Sequence, residues 1–229
     1  MTQDSPVGAA ARRGLSHSAA DMIREAILAG RYPAGASLRE VELAALLDVS
    51  RGSVRDGLAI LESEGLIHRA WHRGTRVIEV TPEDVREVYS VRAALDRLAA
   101  MTARRKRTPQ DISALTLIVD EMRTALARGA VQRELIALDI QFHDRIYETA
   151  ANRRLWSAWG AIRSQVQLFQ LRRVSEDEGD YRARIVDEHS RLVSLLKSGA
   201  LAEVGVEAEQ HVLDARDALL GEKSALRAP

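Results

Sequence analysis

Along most of the chain apolar residues return every three to four positions, the spacing of one helix face, and only one short stretch breaks into strand-like patterning. The first helical stripe covers about 18–29 and stops at Gly30, after which RYPAGA supplies a turn. Ser37 and Glu40 have the S-x-x-E spacing of a capping box and predict a second helix, with Leu43, Leu46 and Leu47 as its apolar positions. After Asp48-Val49, Ser50 is placed to cap a third helix in which Val54, Leu58 and Leu61 share one face. LIHR and TRVIEV (75–80) then read as two short strands, and the intervening WHRG predicts a hairpin turn exposing His72, Arg73 and Gly74.

The pattern changes at Thr81-Pro82. Thr81 can cap a new helix, Pro82 suits its first position, and Glu83 and Asp84 favour its positive end. From there only helical periods follow, over about 82–106, 109–128, 131–149, 152–174, 178–198 and 200–220, punctuated by Thr108-Pro109, Gly129, Asn152, Gly179 and Gly199. The chain thus divides into a tail (1–15), a small α+β domain (16–80), an all-α domain (81–222) and a second tail (223–229). The class is mainly α: helix, helix, short turn, helix and a two-stranded wing is a winged helix-turn-helix, joined to a helical bundle.

In a winged domain the third helix enters the DNA major groove, which gives Arg51 and Arg55, at i and i+4 on its first turns, a purpose. Two other readings of the pair are a solvated helix start and a small-phosphate site. The latter needs a glycine-rich loop ahead of the helix, and LLDVS has none. Net charge is zero, so nucleic-acid binding has to come from a local patch rather than from bulk attraction. Residues 23–77, with AILAGRYPAGASLRE, LA-x-LL-x-VSR, VR-x-x-L-x-x-L-x-x-EGL and RGTRV, resemble the DNA-binding domain of the GntR family of bacterial transcription regulators. The resemblance implies DNA contacts from Arg39, Arg51, Arg55 and Gly74; with the neighbouring Ser50, Ser53, Arg73 and Thr75 these form the candidate DNA-binding set. The family usually has Thr-Pro where this chain has Gly52-Ser53, and a small helix former where it has Gly57. Two glycines inside the helix are expected to weaken it by ~1 kcal/mol each relative to alanine.

Composition narrows the chemistry of the second half. The chain has no cysteine, which excludes disulfides and thiolate metal sites, so a transition metal must use His and carboxylates. No stretch reaches the length of a membrane-spanning helix, the longest apolar run being ALTLIV at 114–119. The start carries Arg12 and Arg13 without a following apolar core, and is read as a tail of a cytoplasmic protein.

Of six histidines, three follow residue 80: His143, His189 and His211. His143 shares the face of Ile136, Ile140 and Tyr147 with Asp139, one turn away; His189 lies among Ile185, Leu192 and Leu196; His211 lies on the arc of Val204, Ala208, Ala215 and Leu219. A single inward histidine is ordinarily a hydrogen-bonded core residue. An inward Asp is costly unless paired or ligated, and a shared cation explains all four together.

VYSVRAALDRLAAMTAR (88–104), LDIQFHDRIYETAANRRL (138–155), DEHSRLVSLLKSGA (187–200) and EQHV resemble the FCD effector-binding domain of the FadR-type branch of the GntR family, in its short VanR-like form. That resemblance implies a divalent ion on Asp139, His143, His189 and His211, with zinc first and nickel or manganese compatible. It also implies a small carboxylate effector completing the coordination, for which Arg92, Asn152 and Arg163 are candidate contacts. The leading expectation is a homodimeric, cytoplasmic DNA-binding repressor of a palindromic operator, modulated by an organic acid at the metal. The same regulator with a purely structural metal is an alternative. A metal-dependent hydrolase is a remote one, opposed by the absence of H-E-x-x-H and of an acid/base partner.

Overall fold

The computed structural model describes residues 7–70, 74–173 and 178–221, so Arg73 and most of the predicted wing turn lie outside the described residues. The elements run α1 (Val7–Leu28), α2 (Glu40–Leu47), α3 (Arg51–Ser63), β1 (Ile67–Ala70), β2 (Gly74–Val77), α4 (Pro82–Lys106), α5 (Pro109–Ala127), α6 (Gln132–Ala150), α7 (Arg153–Arg173), α8 (Glu178–Ser198) and α9 (Leu201–Leu220). They form two compact units that meet in sequence between Val80 and Thr81.

In the first unit Val54, Leu58 and Leu61 of α3 are fully buried, together with Ala19, Ala20, Ile23 and Ile27 of α1. A bidentate pair from Arg24 to Glu64, at 2.7 and 2.6 Å, fastens α1 to the residue that ends α3. β1 and β2 pair antiparallel with Ile67 opposite Val77 and Ala70 opposite Gly74.

Five local expectations change. α1 starts at Val7, inside the stretch read as a tail, because an alanine-rich segment extends a helix at little cost. Ser37 caps nothing: Arg39 is the N-cap residue of α2 and makes no side-chain cap. Instead Ser37 bridges Arg76, with Leu38 N–H donating to Thr75 O at 2.9 Å and Val77 N–H to Ala36 O at 3.0 Å, so segment 36–38 covers the open edge of β2. β2 ends at Val77 rather than Val80. Leu46 is 72% exposed, because the two-turn α2 ends in a left-handed Asp48 and turns only Leu43 fully inward.

Gly57 is the fifth. It is buried, and a Cβ there would lie 2.9 Å from Ser16 O and 3.1 Å from Ala20 N, so its bare backbone lets α1 and α3 close together. Helix propensity argues against this glycine and packing requires it. Gly52 is different: a Cβ there meets only Ser50 Oγ at an ordinary 3.6 Å.

In the second unit α4 and α5 begin alike. Thr81 and Thr108 each accept from the backbone of an Asp three residues on, whose carboxylate accepts in return from the threonine N–H and hydroxyl; Pro82 and Pro109 occupy the first helical positions. α4 packs along α9, tied by Arg97–Glu209 at 2.6 Å, with Gly205 giving room to Met101. The core around α4, α6 and α7 holds Tyr89, Phe142, Tyr147 and Trp159, the last two stacked at 5.2 Å.

Two outcomes follow for thermal unfolding of the full chain. Gly57→Ala lowers stability by ~1–3 kcal/mol through overpacking, whereas Gly52→Ala is neutral or raises it by up to ~1 kcal/mol; equal, stabilising shifts would contradict the packing argument. The Asp111 carboxyl is held below its ordinary range by the Thr108 N–H first, then the Thr108 hydroxyl and Arg145. A lowered carboxyl contributes stability present above its unfolded value near 4 and lost as pH falls through its folded value. Asp111→Asn therefore destabilises the protein at neutral pH and flattens its loss of stability as pH falls below about 4.

Candidate functional site

α6 places Asp139 and His143 one turn apart on its buried face, α8 supplies His189, and α9 supplies His211. One ligand-capable atom from each lies within 4.8 Å of the others, and all four residues are buried. His189 Nε2 is 3.0 Å and His143 Nε2 3.9 Å from Asp139 Oδ1, while Gln170 Nε2 donates to Asp139 Oδ2 at 3.0 Å.

Burial alone would push the Asp139 carboxyl up. His189, His143 and Arg92 outweigh it and hold the group far below the usual carboxylate range. His143 goes the other way: burial, then Arg92, lowers it and favours the neutral ring. An ionised carboxylate beside neutral imidazole is the protonation state a divalent ion requires of its ligands. His143 Nε2, 3.9 Å from the Asp139 carboxylate, is also buried without a hydrogen-bond partner. Nitrogen and oxygen donors in this number suit zinc, nickel or manganese, so the residues fit such an ion.

Behind the four stand groups that periodicity did not reveal. Asp96 Oδ2 is 3.0 Å from His143 Nδ1, Glu188 Oε2 is 3.2 Å from His211 Nδ1, and Ile185 O is 2.6 Å from His189 Nδ1. Asp96 also accepts from Tyr147 O–H at 2.5 Å; burial opposes its ionisation, but His143 and Arg92 keep it below its ordinary value. Asp96 sits on the buried face of α4, where the i+4 relation to Arg92 was a signal that could have been used.

The structure separates the three candidate effector contacts. Arg92 is 1% exposed and lies over Tyr89 and Trp159 at 5.3 and 5.6 Å; its Nε is 3.6 Å from Asp96, and Nε and Nη1 have no hydrogen-bond partner. Asn152 is instead a helix cap, its Oδ1 accepting from Arg154 N–H and Leu155 N–H. Arg163 is taken up by Asp144 in a bidentate pair, with Trp159 Nε1 on the same carboxylate. Among the described residues a void of about 10 Å³ adjoins the cluster, lined by Asp96, Ala100, His143, Ile146, Leu192 and Ala208.

In the first unit Ser50 Oγ accepts from Ser53 N–H at 3.1 Å and caps α3. Ser53 is 4% exposed with its hydroxyl 3.0 Å from that of Ser50, so the pair orders the helix start and offers DNA little side chain. Arg51 is exposed. Arg55 is exposed as well and paired with Glu40, with its Nη2 at 3.0 Å, and Arg39 is exposed and paired with Glu42 at 2.9 Å. Arg69 Nη2 donates to Arg55 O at 2.8 Å and ties β1 to α3. Gly74 has φ +73 with open space around its Cα, and Thr75 spends its carbonyl on Leu38.

Among the described residues no helix is long and apolar enough to cross a membrane. Residues 15–77 match the gntR family of bacterial regulatory proteins and residues 87–214 match the FCD domain. The chain is 27% identical over 194 residues to the HTH-type transcriptional regulator YdhC of Bacillus subtilis (strain 168), covering 84% of each. It is 29% identical over 181 residues to a probable D-xylose utilization operon transcriptional repressor of Paenarthrobacter nicotinovorans, covering 78% of this chain and 77% of that one. Its fold is like that of the solved E. coli McbR/YncC, with TM-score 0.77 and 20% identity over 90% of this chain and 97% of the other. A winged unit followed by a six-helix unit, each matching its own family, makes the chain a transcription regulator rather than an enzyme: it belongs to the gntR family, with an FCD domain as its second half.

Proposed function

We propose that the protein is a cytoplasmic, homodimeric repressor whose binding to a palindromic operator is modulated by a small organic acid at a divalent ion. Asp139, His143, His189 and His211 would hold the ion. The observation that carries this reading is their convergence from three helices in a buried site, with the His143 Nε2 left unpaired beside a carboxylate. Bound there, the ion would supply positive charge and Lewis acidity toward an anionic ligand. Arg92 is the residue to receive a carboxylate, since its buried guanidinium has unpartnered N–H groups and the cost of leaving them so is several kcal/mol. Asn152 and Arg163, engaged elsewhere, contribute helix geometry and the Asp144 pair. Repression is supported by the name of the Paenarthrobacter relative.

On the DNA side, Arg51 and Arg55 would divide base-edge and phosphate contacts between them, with Arg39 and Gly74 flanking. Two half-sites on one face of a duplex call for a two-fold protein. The ligand acts through differential affinity for DNA-competent and DNA-incompetent states.

The void beside Asp96 and His143, about 10 Å³, has room for one water and not for an acid, and on that observation a structural ion with no effector is the second reading. In the sensing reading the helices around Arg92 part to admit the acid.

Purified protein should carry one divalent ion per chain by elemental analysis, and His143→Ala or His189→Ala should lose it. In a thermal-shift screen of small carboxylic acids, the responding acid should raise the melting temperature of the metal-loaded protein. It should do nothing after chelation and nothing in Arg92→Gln, which keeps its ion. Global unfolding on chelation, with no acid active on the loaded protein, would establish the structural reading. For DNA, Arg55→Ala should weaken binding to a sequence selected in vitro by the wild-type protein by at least ~1 kcal/mol, about fivefold. Unchanged titrations would remove Arg55 from the interface.

A further inference from the structure

We infer that Asp96 and Glu188 are positioning residues for the metal-ligating imidazoles, each holding one ring so that the nitrogen turned away from it is free to ligate. The inference rests on reading the four-residue cluster as a metal site.

An imidazole that ligates through one nitrogen must carry its proton on the other, and an acceptor behind that proton selects the tautomer and the ring angle. Each of the three rings has such an oxygen: Asp96 Oδ2 at 3.0 Å for His143 Nδ1, Glu188 Oε2 at 3.2 Å for His211 Nδ1, and Ile185 O at 2.6 Å for His189 Nδ1. Oxygen therefore stands behind the Nδ1 of every ring, leaving Nε2 for the ion in every case.

The acceptors differ in kind. His189 leans on a carbonyl of its own helix, supplied by any residue at 185. His143 and His211 lean on carboxylates from elsewhere in the fold, Asp96 on α4 and Glu188 on α8. A carboxylate makes the ring more basic and the ligand stronger than a carbonyl does.

Asp96 is 4% exposed and could be explained as the counter-ion of Arg92 alone, but the geometry points to the ring. Its Oδ2 is 3.0 Å from His143 Nδ1 against 3.6 Å from Arg92 Nε. Tyr147, from the helix that carries His143, donates at 2.5 Å to the other carboxylate oxygen and fixes the plane. Glu188 is held at the edge of the cluster, with Arg184 at 3.7 Å on its Oε1.

The test is a Zn²⁺ titration of metal-stripped full-length protein in competition with a chromophoric chelator, repeated with Co²⁺ for its visible absorption. Asp96→Asn and Glu188→Gln should each weaken Zn²⁺ binding by about 10–100-fold with helicity retained, and should shift the Co²⁺ bands. Asp144→Asn is the control: it removes a carboxylate from the helix of His143 that holds Trp159 and Arg163 instead of a metal-facing ring, and should keep wild-type affinity and spectrum. Wild-type Zn²⁺ affinity in both Asp96→Asn and Glu188→Gln, or an equal loss in Asp144→Asn, overturns the inference and leaves the metal site standing. Failure of the wild-type protein itself to bind Zn²⁺ overturns the metal reading. If Asp96→Asn does not fold, Glu188→Gln, at the more exposed carboxylate, decides alone.

Discussion

The second half of this protein is organised around one electrostatic constraint: two aspartates and three imidazoles are enclosed by apolar helices, and an enclosed charge must be answered or neutralised. Asp139 and Asp96 remain ionised because Arg92 and the ring nitrogens surround them, not because water reaches them. Every helix that contributes a member is thereby committed to a particular rotation and height. α6 must present residues 139 and 143 inward, α4 must bring 92 and 96 to meet them, and α8 and α9 must deliver 189 and 211. Tyr147, stacked on Trp159, is buried beside the cluster.

The DNA-facing unit handles charge the other way, on the surface. Arg55 and Arg39 are presented already paired with glutamates of α2, so in the free protein their guanidinium groups are oriented rather than loose. Such exposed pairs add little stability, ordinarily below ~1 kcal/mol, which leaves the arginines available to a stronger anion. A phosphate backbone is one.

Much of this was legible in the sequence, and the exceptions share a cause. The helices of the second unit follow the predicted periods closely, because each is long, amphipathic and bounded by Thr-Pro, Gly or Asn. The four clustered residues were visible because titratable groups on an apolar helical stripe are conspicuous. Asp96 and Glu188 were not: Asp96 is marked only by its i+4 relation to Arg92 and Glu188 only by its i+4 relation to Arg184, and the role of each is defined by the ring it meets across the bundle. Gly57 misled for the same reason: propensity belongs to one helix, whereas the Ser16 carbonyl that forbids a side chain belongs to another. Ser37 matched a capping box by spacing, yet the open edge of β2 claimed its backbone. Asn152 and Arg163 carried polar side chains at plausible positions, and their partners, a helix start and Asp144, were one turn or one helix away.

Past Pro82, α4 contains neither proline nor glycine over its 25 residues, and its entry is clamped by the reciprocal Thr81–Asp84 bonds. It is therefore a stiff rod with no joint between the buried Arg92 and the point where the chain passes from one unit to the other. Arg92 lies eleven residues from Thr81, roughly 16 Å along the axis at 1.5 Å per residue. A rotation of the rod by about five degrees around that arginine would carry its first turn through roughly 1.4 Å, a lever arm computed from helix rise alone. A rotation centred on Arg92 thus leaves the guanidinium almost in place while residue 81, at the far end of the rod, moves by more than an ångström.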